Sequence, residues 1–154
     1  MKKLLALVLL ASMLWSHAAP PALAEDEAES ESLLDRVFRL IEDAGDLVQM
    51  DGDDLYDLIG IDPEECESFV WLADNNALSG RELIVIIALD EDGADSAADM
   101  LQRYLDARLR ETRNYLPDAY EALSQAQVIR LDLTLVLSVA APAGDEAALL
   151  LSEE

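Results

Sequence analysis

The chain has 154 residues, 52% of them hydrophobic, and its formal net charge of −23 makes it strongly acidic. Charge of this sign repels nucleic acid and anionic membrane surfaces, so nucleic-acid binding is excluded from the candidate functions. The length and apolar content are those of one ordinary domain with a substantial buried core.

The first 24 residues have the organisation of a secretory signal peptide. Two lysines precede an apolar run from Leu4 to about Trp15, and a small-residue cleavage site follows at 22–24. Because this run is well short of the roughly 20 residues that span a bilayer, we expect no permanent membrane anchor after cleavage. A lipoprotein would carry a cysteine where Glu25 stands. We therefore expect cleavage near Ala24 and a secreted, extracellular protein, which stays associated with the cell envelope if cleavage fails.

Cleavage would remove every lysine and the single histidine, namely Lys2, Lys3 and His17. The mature chain of 130 residues would then carry eight arginines and 33 acidic residues, a net charge of −25. Without histidine or lysine it has no Ser-His-Asp triad and no Ser-Lys pair, and it lacks the several Cys and His ligands of a zinc site. These absences exclude the commonest hydrolase and zinc chemistries.

Cys66 is the only cysteine, so the domain has no internal disulfide. A nucleophilic cysteine needs a histidine partner or a helix N-terminus to lower its thiol pKa from about 8.5, and the mature chain offers no histidine. We interpret Cys66 as a small side chain within a strand, and we do not expect a disulfide-linked dimer through it.

The acidic segment 25–31 is expected to be disordered, and a single α+β domain is predicted over residues 32–154. Ser32 followed by Asp35 is typical of a helix N-cap, and apolar residues then recur every three or four positions. This spacing predicts a long amphipathic helix with an inner face formed by Leu33, Leu34, Val37, Leu40, Ile41, Ala44, Leu47 and Val48.

A loop and two strands are predicted next. The loop covers residues 51–62, with about one helical turn at 53–58 that Gly60 closes. The segment 66–73 is rich in the strand formers Phe, Val and Trp, which predicts a strand followed by a turn at 75–80. Seven continuous apolar residues at 83–89 indicate a central strand covered on both faces.

The second half of the chain is predicted as two helices followed by strand. A long helix spans about 94–114, and Pro117 begins a short helix through about Gln125. Alternating apolar residues over 128–139 predict either one strand or a hairpin that turns near Leu131-Asp132. Residues 144–151 predict a last short helix. This order favours an α+β fold with a small antiparallel sheet of three to four strands, packed against two long and one or two short helices.

Three stretches of the chain, residues 55–74, 78–129 and 133–140, resemble one protein family. Their local signatures are Tyr56 with the loop Ile61-Asp62-Pro63-Glu64, the acid Glu82 before the apolar strand, and Tyr115-Leu116-Pro117 with Tyr120. In these features the chain is similar to the domain-of-unknown-function family numbered 4358. The resemblance implies a small bacterial protein of the kind that Gram-positive cells secrete or anchor as lipoproteins. It implies nothing about chemistry.

Five acids in the loop 51–62 are candidate calcium ligands. Oxygen-rich extracellular loops can bind calcium weakly, with dissociation constants of roughly 10⁻⁴ to 10⁻³ M. An EF-hand beginning at Asp51 would need an oxygen ligand and then a glycine where Leu55 and Tyr56 stand. The candidates are therefore not an EF-hand; they are Asp51, Asp53, Asp54, Asp57 and Asp62. The alternative is a solvated acidic loop that caps a short helix, and mutation of Asp62 and Glu64 would test whether the loop binds anything.

Charged residues on the long helix are a further candidate site, for an anionic ligand. The residues that share one face in alternating sign are Asp99, Arg103, Asp106, Arg110 and Arg113. Such alternation is more typical of a solvent face with exposed ion pairs. Arg108 alone lies off that face.

These observations predict a secreted, non-enzymatic binding or accessory domain without a cofactor, which acts on an unknown protein or envelope partner. The alternative hypothesis is a weak calcium-binding domain or a carboxylate-based enzyme that uses the loop 51–62. That alternative stays open because 33 acids always allow two carboxylates to converge.

Overall fold

The computed structural model describes Ser32 and residues 35–37, 46–76 and 78–140. All of these lie within one compact unit, Glu31–Glu154. The predicted signal peptide, the acidic segment 25–31 and the predicted helix at 144–151 lie outside the described residues. No helix in the described ranges is long and apolar enough to cross a membrane.

The described residues form one antiparallel sheet of five strands. Its strands are β1 (Leu47–Gln49), β2 (Cys66–Asp74), β3 (Glu82–Ala88), β4 (Val128–Leu131) and β5 (Thr134–Val139). They lie in the order β1-β2-β3-β5-β4, and every neighbouring pair is antiparallel. The predicted α+β fold with an antiparallel sheet is confirmed, with one strand more than the three to four expected.

Besides the helical residues 35–37, the described helices are α1 (Gly52–Asp54), α2 (Glu91–Thr112) and α3 (Pro117–Gln125). α1 continues directly into a π-helical turn, Leu55–Ile59, which ends at Gly60 in the left-handed conformation with φ of 91°. Glycine reaches that conformation without steric cost, which confirms the predicted helical turn and its stop. α3 has the predicted bounds, and its first residue is Pro117.

α2 begins three residues before the predicted start because Asp90 caps it. The Asp90 side chain accepts a hydrogen bond from the backbone N–H of Gly93 at 2.8 Å. Glu91 and Asp92 in the first turn favour the positive end of the helix dipole. The inner face of α2 carries the buried residues Ala97, Leu101, Leu105 and Thr112.

β3 is buried on both faces, as predicted for a central strand. Four consecutive residues, Leu83 to Ile86, are each at most 3% exposed, although successive side chains of a strand face opposite ways. On the face toward α2, a core cluster includes Trp71, Ile84, Ile86, Leu101, Leu123, Leu135 and Leu137. Full burial of one such side chain stabilises the fold by about 1.5–3 kcal/mol.

The predicted first helix is wrong at its C-terminal end. Leu47 and Val48 belong to strand β1, in which Leu47 pairs with Asp74 and Val48 pairs with Ala73 of β2. Hydrogen bonds to the edge of β2 decide the conformation there, and the spacing of apolar residues cannot report such long-range pairing. Of the predicted helix, residues 35–37 are helical, and 33–34 and 38–45 lie outside the described residues.

The segment 128–139 is a hairpin, which resolves the two predicted alternatives. Leu131 of β4 pairs with Thr134 of β5, so Asp132 and Leu133 form a two-residue turn. Asp132 adopts a positive φ of 50°. Aspartate tolerates this left-handed conformation better than most residues, because its short side chain can hydrogen-bond locally.

Candidate functional site

A cleft of about 370 Å³ opens between the C-terminal half of α2, the turn from β2 to β3 and the π-helical turn after α1. Its walls combine apolar side chains with both signs of charge. The apolar ones are Met50, Leu58, Trp71, Ala73 and Leu116, and the charged ones are Asp74, Arg81, Glu82, Arg108 and Glu111. Ligand pockets commonly have volumes of about 300–1,000 Å³, so the cleft is large enough for a small molecule.

Strand pairing and helix periodicity bring these residues together. Trp71 lies opposite Ile84 and Ala73 lies opposite Glu82 in the pairing of β2 with β3. Trp71 and Glu82 therefore project from the same face of the sheet. On α2, Tyr104 and Arg108 are four residues apart, so one stands above the other on a single helix face.

A closed ring of hydrogen bonds joins Glu82, Tyr104 and Arg108. The Tyr104 hydroxyl donates to Glu82 Oε2 at 2.8 Å, and Arg108 Nη1 donates to Glu82 Oε1 at 3.1 Å. Arg108 Nη1 also donates to the Tyr104 hydroxyl oxygen at 2.7 Å. Each side chain of the ring is thus held by the other two, and the ring ties the start of β3 to the middle of α2.

Glu82 is the buried member of this ring. Its side chain is 2% exposed, whereas that of Arg108 is 25% exposed. Burial raises the pKa of Glu82, and the charge of Arg108 and the hydrogen bond from Tyr104 offset only part of that rise. An ionised carboxylate without partners would be strongly destabilising in a core. Glu82 is therefore tolerated there because its two partners are in place.

Two aromatic residues form the wall behind the ring. The rings of Tyr104 and Trp71 pack edge to face, with centroids 6.0 Å apart and an interplanar angle of 81°. Burial raises the pKa of Tyr104, so its hydroxyl keeps its proton and remains a donor to Glu82. Trp71 is 2% exposed, and its Nε1 atom forms no hydrogen bond within the described residues. The indole N–H of Trp71 is still close enough to Glu82 to lower the pKa of the Glu82 carboxyl.

The charges that line the cleft are nearly balanced. Arg108 pairs with Glu82, and the charge of Arg81 acts on Asp74. Asp74 also accepts a hydrogen bond from the backbone N–H of Asn76 at 2.7 Å, which is the largest cause of its lowered pKa. The third carboxylate, Glu111, is exposed and forms no ion pair with another described residue. The cleft therefore contains one carboxylate more than it has guanidinium groups.

The region that carries this fold and cleft also matches a known family. Residues 41–140 match the family described as Domain of unknown function (DUF4358). The chain belongs to the DUF4358 family. The matched region contains all the strands and helices bounded above and every residue of the cleft, so the family resemblance expected from the local signatures is confirmed. Comparison with curated proteins and with solved structures found no significant match.

Cys66 lies outside the cleft of this DUF4358 domain. It is the first residue of β2 and is half-buried, which agrees with a small side chain at a strand position. Its Sγ atom donates to the carbonyl oxygen of Asp62 at 3.6 Å. Burial raises the pKa of the thiol, and the charges of Glu65 and Asp62 raise it further. The thiol therefore stays protonated and is a poor nucleophile at neutral pH.

The acids of the loop 51–62 serve as local caps in the DUF4358 domain. Asp51 Oδ1 accepts from the N–H of Asp54 at 3.0 Å, and Asp54 Oδ2 accepts from the N–H of Asp51 at 3.3 Å. Asp62 Oδ1 accepts from the N–H of Glu64 at 2.9 Å and caps a 3-10 turn. Asp53 and Asp57 are exposed. Among the described residues, no three Cys, His, Asp or Glu side chains are placed to hold a metal ion.

The structure separates Arg108 from the other arginines of α2. Arg103 pairs with Asp99 at 3.7 Å on the outer face, where the two side chains are 73% and 77% exposed. The sequence marks Glu82 as a family signature and places Arg108 off the outer face, but its local spacing does not connect the two residues. The position of Glu82 is itself a signal. An acid at the start of a buried central strand needs hydrogen-bond donors from a neighbouring element. Arg108 and Tyr104 are the donors that α2 turns toward the sheet.

Proposed function

We propose that this DUF4358 protein is a secreted, non-enzymatic binding domain that works outside the cell or at its envelope, and that its ligand occupies the cleft beside Glu82. The observation that carries the proposal is the cleft of about 370 Å³, whose polar floor is fixed by the ring of Glu82, Tyr104 and Arg108. Ligand sites are commonly apolar clefts with a few polar groups held in place, because pre-organised groups lose little entropy on binding.

Secretion is supported by the sequence of residues 1–24, with its lysines, short apolar run and small-residue cleavage site. The strongly negative net charge supports a protein that stays dissolved after release and does not adhere to anionic lipid. A Gram-positive origin would suit this description, as the family resemblance implies.

A binding role rather than catalysis is supported by the state of the ionisable groups in the cleft. A general acid or base must reach the proton that it transfers. Glu82 is 2% exposed, and each of its carboxylate oxygens already accepts a hydrogen bond. The thiol of Cys66 lies elsewhere and has a raised pKa. Neither residue is therefore arranged to act on a bound substrate.

Secretion can be tested with a chain that carries a C-terminal epitope tag in a bacterial host. We expect the tagged protein in the culture medium, with Glu25 as its first residue in N-terminal sequencing. An Ala24→Arg variant should block cleavage and serves as the control. Recovery of the uncleaved wild-type chain from the membrane fraction would contradict the localisation.

Binding at the cleft can be tested by thermal shift with a panel of amino acids, peptides, sugars, nucleosides and organic acids. Leu58→Asp places a charge on the cleft wall, and Leu89→Asp makes the same change at a residue that does not line the cleft. The two leucines are matched controls because they are 58% and 57% exposed. We expect at least one class to raise the melting temperature of wild type and of Leu89→Asp but not of Leu58→Asp. No response to any class, or a response that Leu58→Asp leaves intact, would contradict the proposal.

A further inference from the structure

The guanidinium of Arg108, which lines the cleft, has N–H groups that donate no hydrogen bond within the described residues. Within the described residues, Arg108 donates hydrogen bonds through Nη1 alone, to Glu82 and Tyr104. Its Nη2 and Nε groups therefore remain as donors, and a quarter of the side chain is exposed. Guanidinium groups bind carboxylates through two parallel hydrogen bonds, so Arg108 can receive a carboxylate from the cleft.

A carboxylate that forms no ion pair within the described residues, Glu111, stands close enough to Arg108 for its charge to raise the pKa of that guanidinium. Glu111 follows Arg108 by three residues on α2, lines the same cleft and is exposed. Side chains three residues apart on a helix are neighbours, with Cβ atoms about 5–6 Å apart. Glu111 can therefore receive an ammonium group while Arg108 holds a carboxylate on the same small molecule.

Ligands with a single sign of charge fit this pair of residues less well. An anion must approach a chain with a net charge of −23 and must then lie next to Glu111. A cation is attracted by the chain, but it meets the unused donors of Arg108. A molecule with both charges and no net charge avoids both costs.

The remaining walls of the cleft fit an apolar side group. Met50, Leu58 and Leu116 line it, and Leu58 is 58% exposed. A volume of about 370 Å³ lies toward the lower end of the range of about 300–1,000 Å³ that is common for small-molecule pockets. That space is enough for one amino acid or a dipeptide.

We infer that the cleft binds an apolar zwitterion, a free α-amino acid or a very short peptide with free ends, with its carboxylate on Arg108 and its ammonium group on Glu111. This inference rests on the proposed binding function and names the chemistry of the ligand. In this arrangement the apolar side group of the ligand packs against Leu58 and Leu116.

Three probes with the same apolar body test the charge requirement. L-Leucine carries both charges, isoamylamine lacks the carboxylate, and isocaproate lacks the ammonium group. Each charged contact is worth about a factor of ten or more in affinity, so calorimetry should find L-leucine at least tenfold tighter than either fragment. If isoamylamine or isocaproate binds as tightly as L-leucine, or if L-leucine does not bind, the zwitterion inference is wrong. The proposed binding function would still hold in that case if another class of compound from the thermal-shift panel bound at the cleft.

The source of the zwitterion is resolved by comparing L-leucine with leucyl-leucine. Tighter binding of the free amino acid would assign a metabolite, and tighter binding of the dipeptide would assign a peptide fragment. N-Acetyl-leucine amide has the same side chain and no charges, so we expect it to bind at least tenfold more weakly than L-leucine. Binding of this neutral compound with the affinity of L-leucine would overturn the inference.

The residues are tested by substitutions that leave the buried ring intact. Glu111→Gln should weaken L-leucine about tenfold or more and should not weaken isocaproate, which has no ammonium group. Glu121→Gln on α3 is the matched control, because Glu121 is also exposed and does not line the cleft. Equal losses in the two variants, or no loss in Glu111→Gln, would overturn the assignment. Circular dichroism of each variant verifies that it is folded.

Discussion

Two arginines of this domain form ion pairs whose acids differ in burial. Arg108 and Arg130 have similar side-chain exposure, 25% and 29%. The carboxylate that Arg108 meets, Glu82, is 2% exposed, whereas Glu91 and Asp95, which Arg130 bridges, are each 73% exposed. The burial of the acid therefore distinguishes the two pairs, and the exposure of the arginine does not.

This difference decides what each pair contributes. Around Arg130, water solvates both acids when the arginine leaves, and salt screens the attraction. When Arg108 is removed, the carboxylate of Glu82 stays buried in the core, where it must remain charged without a cation or take up a proton. The two pairs contain the same chemical groups, but only the buried one makes the fold depend on its partner.

Removal of Arg108 should have the largest effect. We expect Arg108→Leu to lower the free energy of unfolding by about 3–5 kcal/mol at pH 7, because Glu82 is left without its cation. Urea unfolding followed by the fluorescence of Trp71 measures the change. The double variant Glu82→Leu with Arg108→Leu should recover most of the loss. A loss under about 1 kcal/mol in the single variant would show that the pair behaves as an exposed one.

Removal of the Tyr104 hydroxyl should have the next largest effect. Tyr104→Phe keeps the edge-to-face contact with Trp71 and deletes one donor to Glu82 and one acceptor from Arg108. We expect a loss of about 1–3 kcal/mol, because a buried group loses a hydrogen-bond partner. The control is Tyr115→Phe, at a residue that is 83% exposed. Equal stability of Tyr104→Phe and Tyr115→Phe would mean that the ring does not stabilise the fold.

The buried pair should also produce a pH dependence that the exposed pair lacks. Folding raises the pKa of Glu82 above its ordinary value of 4.5, so the folded state holds that proton more tightly than the unfolded state. The contribution of Glu82 to stability is therefore greatest below the ordinary value and is lost as the pH rises through the folded value. We expect the stability of wild type relative to Glu82→Gln to fall over that window. A constant or rising difference in urea titrations would contradict the raised pKa.

Removal of Arg130 should have a smaller effect than removal of the Tyr104 hydroxyl. Arg130 bonds to Glu91 and Asp95 of α2, and its Nε donates to the carbonyl oxygen of Asp132 at 3.0 Å. We expect Arg130→Ala to lower stability only slightly at low salt and not measurably in 1 M sodium chloride, where the Debye length is about 3 Å. A loss equal to that of Arg108→Leu would end the distinction between the two pairs.

Calcium should have the smallest effect of all. The loop acids are solvated or engaged as caps, and the described residues offer no group of three ligands to a metal ion. We expect the melting temperature at millimolar calcium to equal that at the same concentration of magnesium. A rise specific to calcium that Asp62→Asn abolishes would restore the loop as a metal site.

The fold was largely predictable because most elements are determined by local signals. The turn at Gly60, the strand from Cys66, the apolar run of β3 and the start of α3 at Pro117 all carry residue types that restrict the backbone. β1 was missed because Leu47 and Val48 fit a helical spacing equally well. Their pairing with β2 depends on residues that are distant in the sequence.

The cleft was less predictable than the fold for the same reason. Glu82 is visible in the sequence as an acid before an apolar strand and Arg108 as lying off the outer face of a helix, but no local signal singles out Tyr104. Their meeting depends on the angle and distance at which α2 packs on the sheet, which the spacing of apolar residues does not encode. Cys66 and the dense acids of the loop 51–62 are more conspicuous in the sequence than this ring. The structure leaves both outside the buried ring.

The pairing order of the sheet affects how the chain can fold as it is synthesised. β3 has β2 on one side, its neighbour in sequence, and β5 on the other, where Glu82 pairs with Val139 near the end of the described chain. Two helices and β4 separate these partners along the sequence. Because closing so long a loop costs entropy before any contact stabilises it, such pairing is slow. A chain that emerges N-terminus first keeps one edge of its most apolar strand open until β5 follows, and an open apolar strand edge is prone to pair with other chains.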